Sequence, residues 1–405
     1  MHEFLTVAMG LCVFAPFAMS LLSGLLLLGR VNWMQERTFY RLCMAGLIVS
    51  LVSSVAIGIA RGIGAEPAEL NFGHWVIIGN YEIPALFYMD NLAQVFSLMG
   101  AALTALVARF SQTYLHKEAG FGRFFVILGV FASSTQLVAW AGALDLFFAG
   151  WEAIGLCSAL FIGYFYERDE PVRSGLRAFA TYRLCDAGFL ISIVMIHELI
   201  GSTRISGLTA ATSLSGPAVT IIAVMLMIAA FGKSAQLPFS TWLPRAMEGP
   251  TPASALFYGA VSIHVGLFLL LRISPILEAA PLARGLGVGV GLLTAIYASL
   301  VARTNTDAKG ALAHATLGQI GLILAEICLG FTTFALFHLT THALLRIWQF
   351  LRAPNTLADT HTFGHHTDKQ HGILGKYFPQ ASRWLYAQAL NRFRLDDRMD
   401  SMLAP

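Results

Sequence analysis

Runs of about twenty consecutive apolar residues recur from one end of this chain to the other, and they decide what it can fold into. A run of that length crosses the hydrocarbon core of a bilayer as a helix. In lipid the backbone must satisfy its own hydrogen bonds, so helices are the economical solution. The alternating ten-residue segments of a membrane β-barrel are absent. Hydrophobic windows place about eleven spans, near 5–29, 41–62, 86–108, 123–142, 144–166, 178–200, 218–237, 252–273, 283–303, 309–329 and 331–351. Only 12% of the 405 residues are charged, about half the share in a soluble domain. The fold class is therefore an all-α polytopic membrane protein with the lipid bilayer as its solvent, and a helix break is expected near Lys233.

The net charge of +3 says little, but its distribution says more. Arg30, Arg37 and Arg41 follow the first span, and Arg109, Lys117 and Arg123 the third. Arg168, Arg173, Arg177 and Arg183 follow the fifth, Arg245 the seventh, Arg303 and Lys309 the ninth. The intervening connections are short or acidic, as around Glu66, Glu69 and Glu82. The positive-inside rule puts the basic group in the cytoplasm, the N-terminus outside and the C-terminus inside. The first run follows Met-His-Glu without a basic region or cleavage site and is read as a retained helix. No basic patch interleaved with aromatics suggests a nucleic-acid partner. Cys12, Cys43, Cys157, Cys185 and Cys328 form no metal-binding spacing and read as small buried hydrophobes.

Two regions follow from composition: a transmembrane domain over 1–352 and a polar cytoplasmic tail over 353–405. The tail ends in an amphipathic helix carrying Trp384, Leu385, Ala389, Leu390 and Phe393. It suits the membrane surface, a partner, or the protein's own cytoplasmic face. His361, His365, His366 and His371 match no standard zinc spacing and read as a solvated loop, so no metal is assigned to this chain.

Ionisable residues inside spans are costly and usually serve function. Glu152 sits mid-span in Phe-Ala-Gly-Trp-Glu-Ala-Ile-Gly, with Asp145 two turns earlier on the same face. Lys233 lies between Gly232 and Pro238, where a broken helix admits water and backbone groups to bilayer depth. Arg183 and Asp186 can face one way, either as a structural ion pair or as modulators of Glu152. His338, His342 and Arg346 recur every four residues and form one polar stripe. His264 stands alone in its span, which suits a hydrogen-bonded core histidine as well as a relay group. Lys309 and His314 open the tenth span, and Gln319 follows. Together these residues draw a polar axis suited to proton relay, although composition alone does not separate a relay from a substrate cavity. As an ordered path, it is expected to start outside and run through Lys309, His338 and His342 and the Lys233 region to Glu152.

Several stretches carry a resemblance. Trp-Glu-Ala-Ile-Gly-Leu-Cys-Ser (151–158) resembles the Glu-bearing helix of NuoL-type subunits of respiratory NADH:quinone oxidoreductase. Tyr-Arg-Leu-Cys-Asp-Ala-Gly (182–188) is similar to their Asn-Arg-x-Gly-Asp segment, and 233–256, from Lys-Ser-Ala-Gln-Leu-Pro to Pro-Ala-Ser-Ala-Leu, matches their longest signature. Asp307–Gly321 and His338–Arg346 match as well, so that the resemblance spans roughly 85–352. It implies that Glu152 and Lys233 form the central pair, that Lys309, His338 and His342 belong to the buried axis, and that Asp186 modulates the pair.

Three departures stand out. Tyr258 replaces a usual His, with His264 six residues later; Arg346 replaces a usual Lys; and the sequence stops before the family's further spans. Arginine does not deprotonate usefully, so a relay must pass it differently. The segment Arg-Ile-Trp-Gln-Phe-Leu-Arg-Ala-Pro (346–354) resembles DabB, the membrane subunit of complexes that accumulate dissolved inorganic carbon. That resemblance implies a proton-passing subunit without its own cofactor, docked to a DabA-like cytoplasmic zinc protein that hydrates CO2, in the cell inner membrane. Three alternatives stand beside it: a redox-driven pump module, a sodium/proton antiporter subunit of the Mrp type, and a membrane anchor that conducts nothing. No nucleophile–base arrangement or phosphate loop is present, so the chain is not read as an enzyme.

Overall fold

The computed structural model describes residues 2–29, 35–78, 81–214, 216–305, 307–353 and 379–403; the histidines at 361–371 fall outside them. Ten helices among the described residues are long and apolar enough to cross a membrane. They are α1 (His2–Leu28), α2 (Glu36–Gly62), α3 (Asn91–Tyr114), α4 (Phe121–Trp140), α5 (Leu144–Ile162), α6 (Asp169–Ile200), α7 (Gly216–Lys233), α8 (Thr251–Arg272), α9 (Pro281–Ala302) and α10 (Ala308–Leu329). The eleventh expected span is also a helix, α11 (Thr332–Arg352). Its histidines, arginines and threonines lower its mean hydropathy below that of the other ten, yet it packs against α10 and the first half of α8.

Long apolar side chains such as Phe14, Leu25, Val52, Leu156, Leu184 and Leu293 face outward, as expected of a lipid-facing surface. Small residues let the helices approach closely. Gly291 on α9 and Gly321 on α10 face each other, and a Cβ on either would strike the other helix's backbone. Helix α8 is buried along its whole length and forms the centre of the bundle.

The region before α3 differs from the sequence expectation. Ala68–Ile78 and Tyr81–Met89 form an antiparallel hairpin, β1 and β2, so residues 86–89 are strand rather than the start of a span. Leu70 of β1 and Leu86, Phe87 and Met89 of β2 are buried. Phe87 bridges to Ala141, and Ala143 to Arg204, which ties β2, the α4–α5 connection and the α6–α7 connection into one end of the bundle. At the same end Arg272 Nη1 donates to Asp90 Oδ2 (2.6 Å) and Nη2 to the Ala139 carbonyl (3.0 Å). At the opposite end the α3–α4, α5–α6 and α7–α8 connections meet: the Tyr114 and Thr251 hydroxyls are 3.0 Å apart, and Arg123 donates to the Tyr164 carbonyl (2.8 Å). The expected amphipathic tail helix is α12 (Pro379–Leu390). Its Ala389 and, beyond it, Met399 are buried, Phe393 packs on Tyr297 of α9, and Trp384 and Tyr386 point outward. The tail thus rests on the body of the protein at this second end.

The expected break occurs: α7 ends at Lys233, and residues 234–250 continue as short turns around Trp242–Arg245. Helix α8 contains a π-helical turn at Ala255–Ala260, just before His264. Such turns redirect the side chains that follow and recur at functional sites.

Candidate functional site

The break in α7 places Lys233 inside the bundle, where it is 1% exposed. Its ammonium lies 4.5 Å from the Tyr182 ring centroid and 5.1 Å from that of Trp151, and Nζ has no hydrogen-bond partner among the described residues. Ring faces attract a desolvated cation by roughly 2 kcal/mol, which offsets part of its burial. The ammonium also packs against Gly155, in the space a side chain there would fill.

Glu152, one turn before Gly155, is held by a different cation. It forms an ion pair with Arg183 Nη1 on α6, while Arg183 Nη2 donates to Asp186 Oδ2 (2.8 Å). The Trp151 indole donates to the other Asp186 oxygen (2.6 Å). The central pair implied by the resemblance is therefore not a direct contact: Arg183 bridges two carboxylates, and Trp151 joins that triad to Lys233. Asp186 is 4% exposed, but Glu152 and Arg183 are 23% and 38% exposed, on the face that carries Leu156 and Leu184. Two carboxylates sharing one guanidinium leave a net negative charge, which Lys233 can balance.

Several hydroxyl contacts join α5 and the segment after Lys233 to α8. Ser158 and Ser262 are 3.1 Å apart, and Ser234 donates to the Ile263 carbonyl (2.7 Å). Tyr258, at the position of the family's usual His, donates to the Ser158 carbonyl (3.3 Å). Two residues beyond Ser262 stands His264, which is not alone: its Nε2 lies 3.0 Å from His342 Nδ1 on α11. Arg346 Nε donates to His342 Nε2 (3.1 Å), and Arg346 Nη1 to Gln349 (2.7 Å). These contacts fix the protons. Arginine only donates, so His342 Nε2 must accept. Neutral His342 then carries its proton on Nδ1 and gives it to His264 Nε2, which leaves the His264 proton on Nδ1.

The polar stripe of α11 divides at this point. His338 turns from His342 to α10, where Nδ1 meets both oxygens of Glu326 (2.9 and 3.0 Å) and Nε2 faces Gln319 Oε1 (3.1 Å). Glu326 was missed in the sequence reading, although a carboxylate in Ile-Leu-Ala-Glu-Ile-Cys satisfies the same rule that found Glu152. His314 is buried near the opposite end of α10, with Nδ1 near the Gly310 carbonyl (2.9 Å) and Asn305 (3.0 Å). Lys309, half-buried in the first turn of α10, lies at the tail end. Seventeen residues, about 25 Å of helix, separate it from Glu326. The expected order, with Lys309 next to His338 on one side, is therefore corrected: the two stand at opposite ends of the bundle. Asp145, two turns from Glu152, accepts a hydrogen bond from the Thr203 hydroxyl at the hairpin end.

The chain matches two family descriptions. Residues 141–388 match the transmembrane region of the NADH:quinone oxidoreductase/Mrp antiporter family, and residues 75–125 match the N-terminus of chain 5 of NADH-ubiquinone oxidoreductase (complex I). NADH-quinone oxidoreductase subunit L of Neisseria meningitidis serogroup A is 31% identical over 381 residues, which cover 90% of this chain and 55% of the relative. The chloroplastic NAD(P)H-quinone oxidoreductase subunit 5 of Nephroselmis olivacea is 30% identical, over 84% of this chain and 54% of its own length. The chain thus spans about half the length of these curated relatives. Among solved structures, the Mrp complex of Dietzia sp. DQ12-45-1b superposes with a TM-score of 0.75 at 27% identity, over 85% of this chain and 37% of that one. An archaeal membrane-bound sulfane sulfur reductase shares the fold, with a TM-score of 0.71 at 18% identity over 85% and 70% of the two chains.

Proposed function

We propose that this chain, which belongs to the NADH:quinone oxidoreductase/Mrp antiporter transmembrane family, is a proton-conducting membrane subunit that drives a partner protein. The observation that carries this reading is that one bundle interior holds two ionisable clusters, Glu152, Arg183 and Asp186 joined through Trp151 to Lys233, and His264 with His342. A membrane anchor gains nothing from burying Lys233 and Asp186, each costing about 3 kcal/mol at bilayer depth.

More specifically, we assign it to inorganic-carbon accumulation. The partner is a DabA-like cytoplasmic protein whose zinc hydrates CO2, and proton flow through this chain drives that step. The chain itself carries no cofactor and is not the enzyme. Support comes from the resemblance of the segment from Arg346 to Pro354 to DabB. It lies in the cell inner membrane, with the hairpin end outside and the tail end in the cytoplasm, as the positive-inside rule requires. The names of the relatives favour a second reading, a proton-translocating subunit of a quinone-reducing or Mrp-type complex.

Affinity purification through a tag on this chain, with metal analysis of the complex, separates these readings. Equimolar recovery of a zinc-bearing soluble protein is expected. Recovery of quinone-reductase or several antiporter subunits instead would replace the carbon reading with the second one.

A further inference from the structure

The hairpin end holds a cavity of about 300 Å³ in which His74 of β1, Glu82 of β2 and His197 of α6 converge, with Ser202, Thr203 and Arg204 closing it. His74 Nδ1 is 3.5 Å from Glu82 Oε2. Arg204 is paired with Glu69 of β1 at 3.4 Å, so its charge is partly compensated. Thr203 is both a wall of this cavity and the hydrogen-bond donor to Asp145 on α5. The cavity therefore reaches, through one hydroxyl, a carboxylate on the same helical face as Glu152 and about 10 Å above it. Ala149 lies between the two carboxylates on that face.

We propose that this cavity is the proton-exchange vestibule of the hairpin side, with His74, Glu82 and His197 taking up protons from water and Asp145 passing them inward. The inference rests on the proton-conducting reading above and locates where that conduction meets the aqueous phase. The need for such a vestibule is kinetic. At pH 8 a diffusion-limited encounter of about 10¹⁰ per molar per second delivers only about 100 protons per second to a single site. Exchangeable imidazoles and carboxylates at the mouth raise the local supply. A proton taken up on an imidazole nitrogen leaves to the Glu82 carboxylate or to water. It then moves along water and the Thr203 hydroxyl, which releases its own proton to Asp145 Oδ2 as it accepts the new one.

The test is side-specific proton flux in liposomes containing the complex purified through this chain, read by an internal pH-sensitive dye. Proteoliposomes with the hairpin end outward are selected by protease protection of a C-terminal tag. The variant combines His74→Asn, Glu82→Gln and His197→Asn, all at solvent-accessible positions. Flux from the hairpin side is expected to fall about fivefold at external pH 8 and to approach wild type at pH 6, where bulk protons suffice. Asp145→Asn, by contrast, lowers flux at both pH values. A triple variant with the wild-type rate at pH 8, while Glu152→Gln still blocks flux, overturns the vestibule and leaves the conduction reading standing. A wild-type complex that passes no protons overturns both.

Discussion

Between Glu152 and Lys233 the interior carries charge, whereas between His264 and His342 it carries hydrogen bonds. In the first region Arg183 holds two carboxylates and a lysine rests on aromatic faces with no acceptor among the described residues. In the second, two neutral imidazoles are locked in one tautomer by Arg346. An added proton can be accepted in the first region by Glu152, whose second oxygen has no partner among the described residues. The second region cannot accept one at His342 while Arg346 donates to Nε2, because both ring nitrogens are already committed. On the proton-conducting reading proposed above, the charged region is the one that stores a proton and the imidazole region the one that gates its passage.

Removing the charged region's acceptor gives the largest effect. Glu152→Gln keeps the shape and leaves Arg183 paired with Asp186, so the protein is expected to fold and to keep its partners. Proton flux is expected to fall more than tenfold, a loss of at least about 1.4 kcal/mol of barrier lowering. The check is dye-detected flux in liposomes beside the yield of intact complex. Normal flux at normal yield would remove the charged region from the mechanism.

The gate is tested by a double-mutant cycle. Arg346→Gln frees His342 Nε2 and is expected to raise flux two- to threefold, about 0.5 kcal/mol. With His342→Asn in the background, the same change is expected to have no effect. A gain that persists without His342 would show that Arg346 acts elsewhere, for example through Gln349.

The two regions also differ in how much of them the sequence disclosed. Glu152, Lys233 and the stripe on α11 stand out because charge inside an apolar run is rare. Who meets whom was not legible: Glu152 and Arg183 lie on separate helices, and His264 and His342 are 78 residues apart. Periodicity places a residue on a face but says nothing of the facing helix. The resemblance carried the charged pair over as Glu152 with Lys233, while packing of α5 on α6 puts the nearer cation on Arg183. The membrane spans were legible to within a few residues at most ends, since they follow from apolar length alone. The hairpin was not, because its apolar second strand runs straight into α3 and reads as one span. Lys309 was misplaced at the outer start of the path although its place among the basic residues after the ninth span already put it at the cytoplasmic end.

The smallest predicted effect is the sharpest test of the charged region, because stability and activity should move apart. Gly155 sits inside α5, where replacing glycine by alanine ordinarily stabilises a helix by about 0.8–1 kcal/mol. Its missing Cβ is the space taken by the Lys233 ammonium. The obstacle is the free end of a flexible chain rather than backbone, so Gly155→Ala moves the ammonium instead of unfolding the bundle. Displacement takes it off the Trp151 and Tyr182 rings, a contact worth roughly 0.5–2 kcal/mol. Proton flux is expected to fall two- to threefold, with the melting temperature within a few degrees of wild type, because the helix gain and the lost ring contact nearly offset each other. Glycine-to-alanine changes on outer, uncrowded helix positions such as Gly285, where nothing lies within reach of an added Cβ, should raise stability without touching flux. If Gly155→Ala behaves like Gly285→Ala, the position of the lysine over the two rings has no part in proton movement, and the charged region reduces to the Arg183 triad.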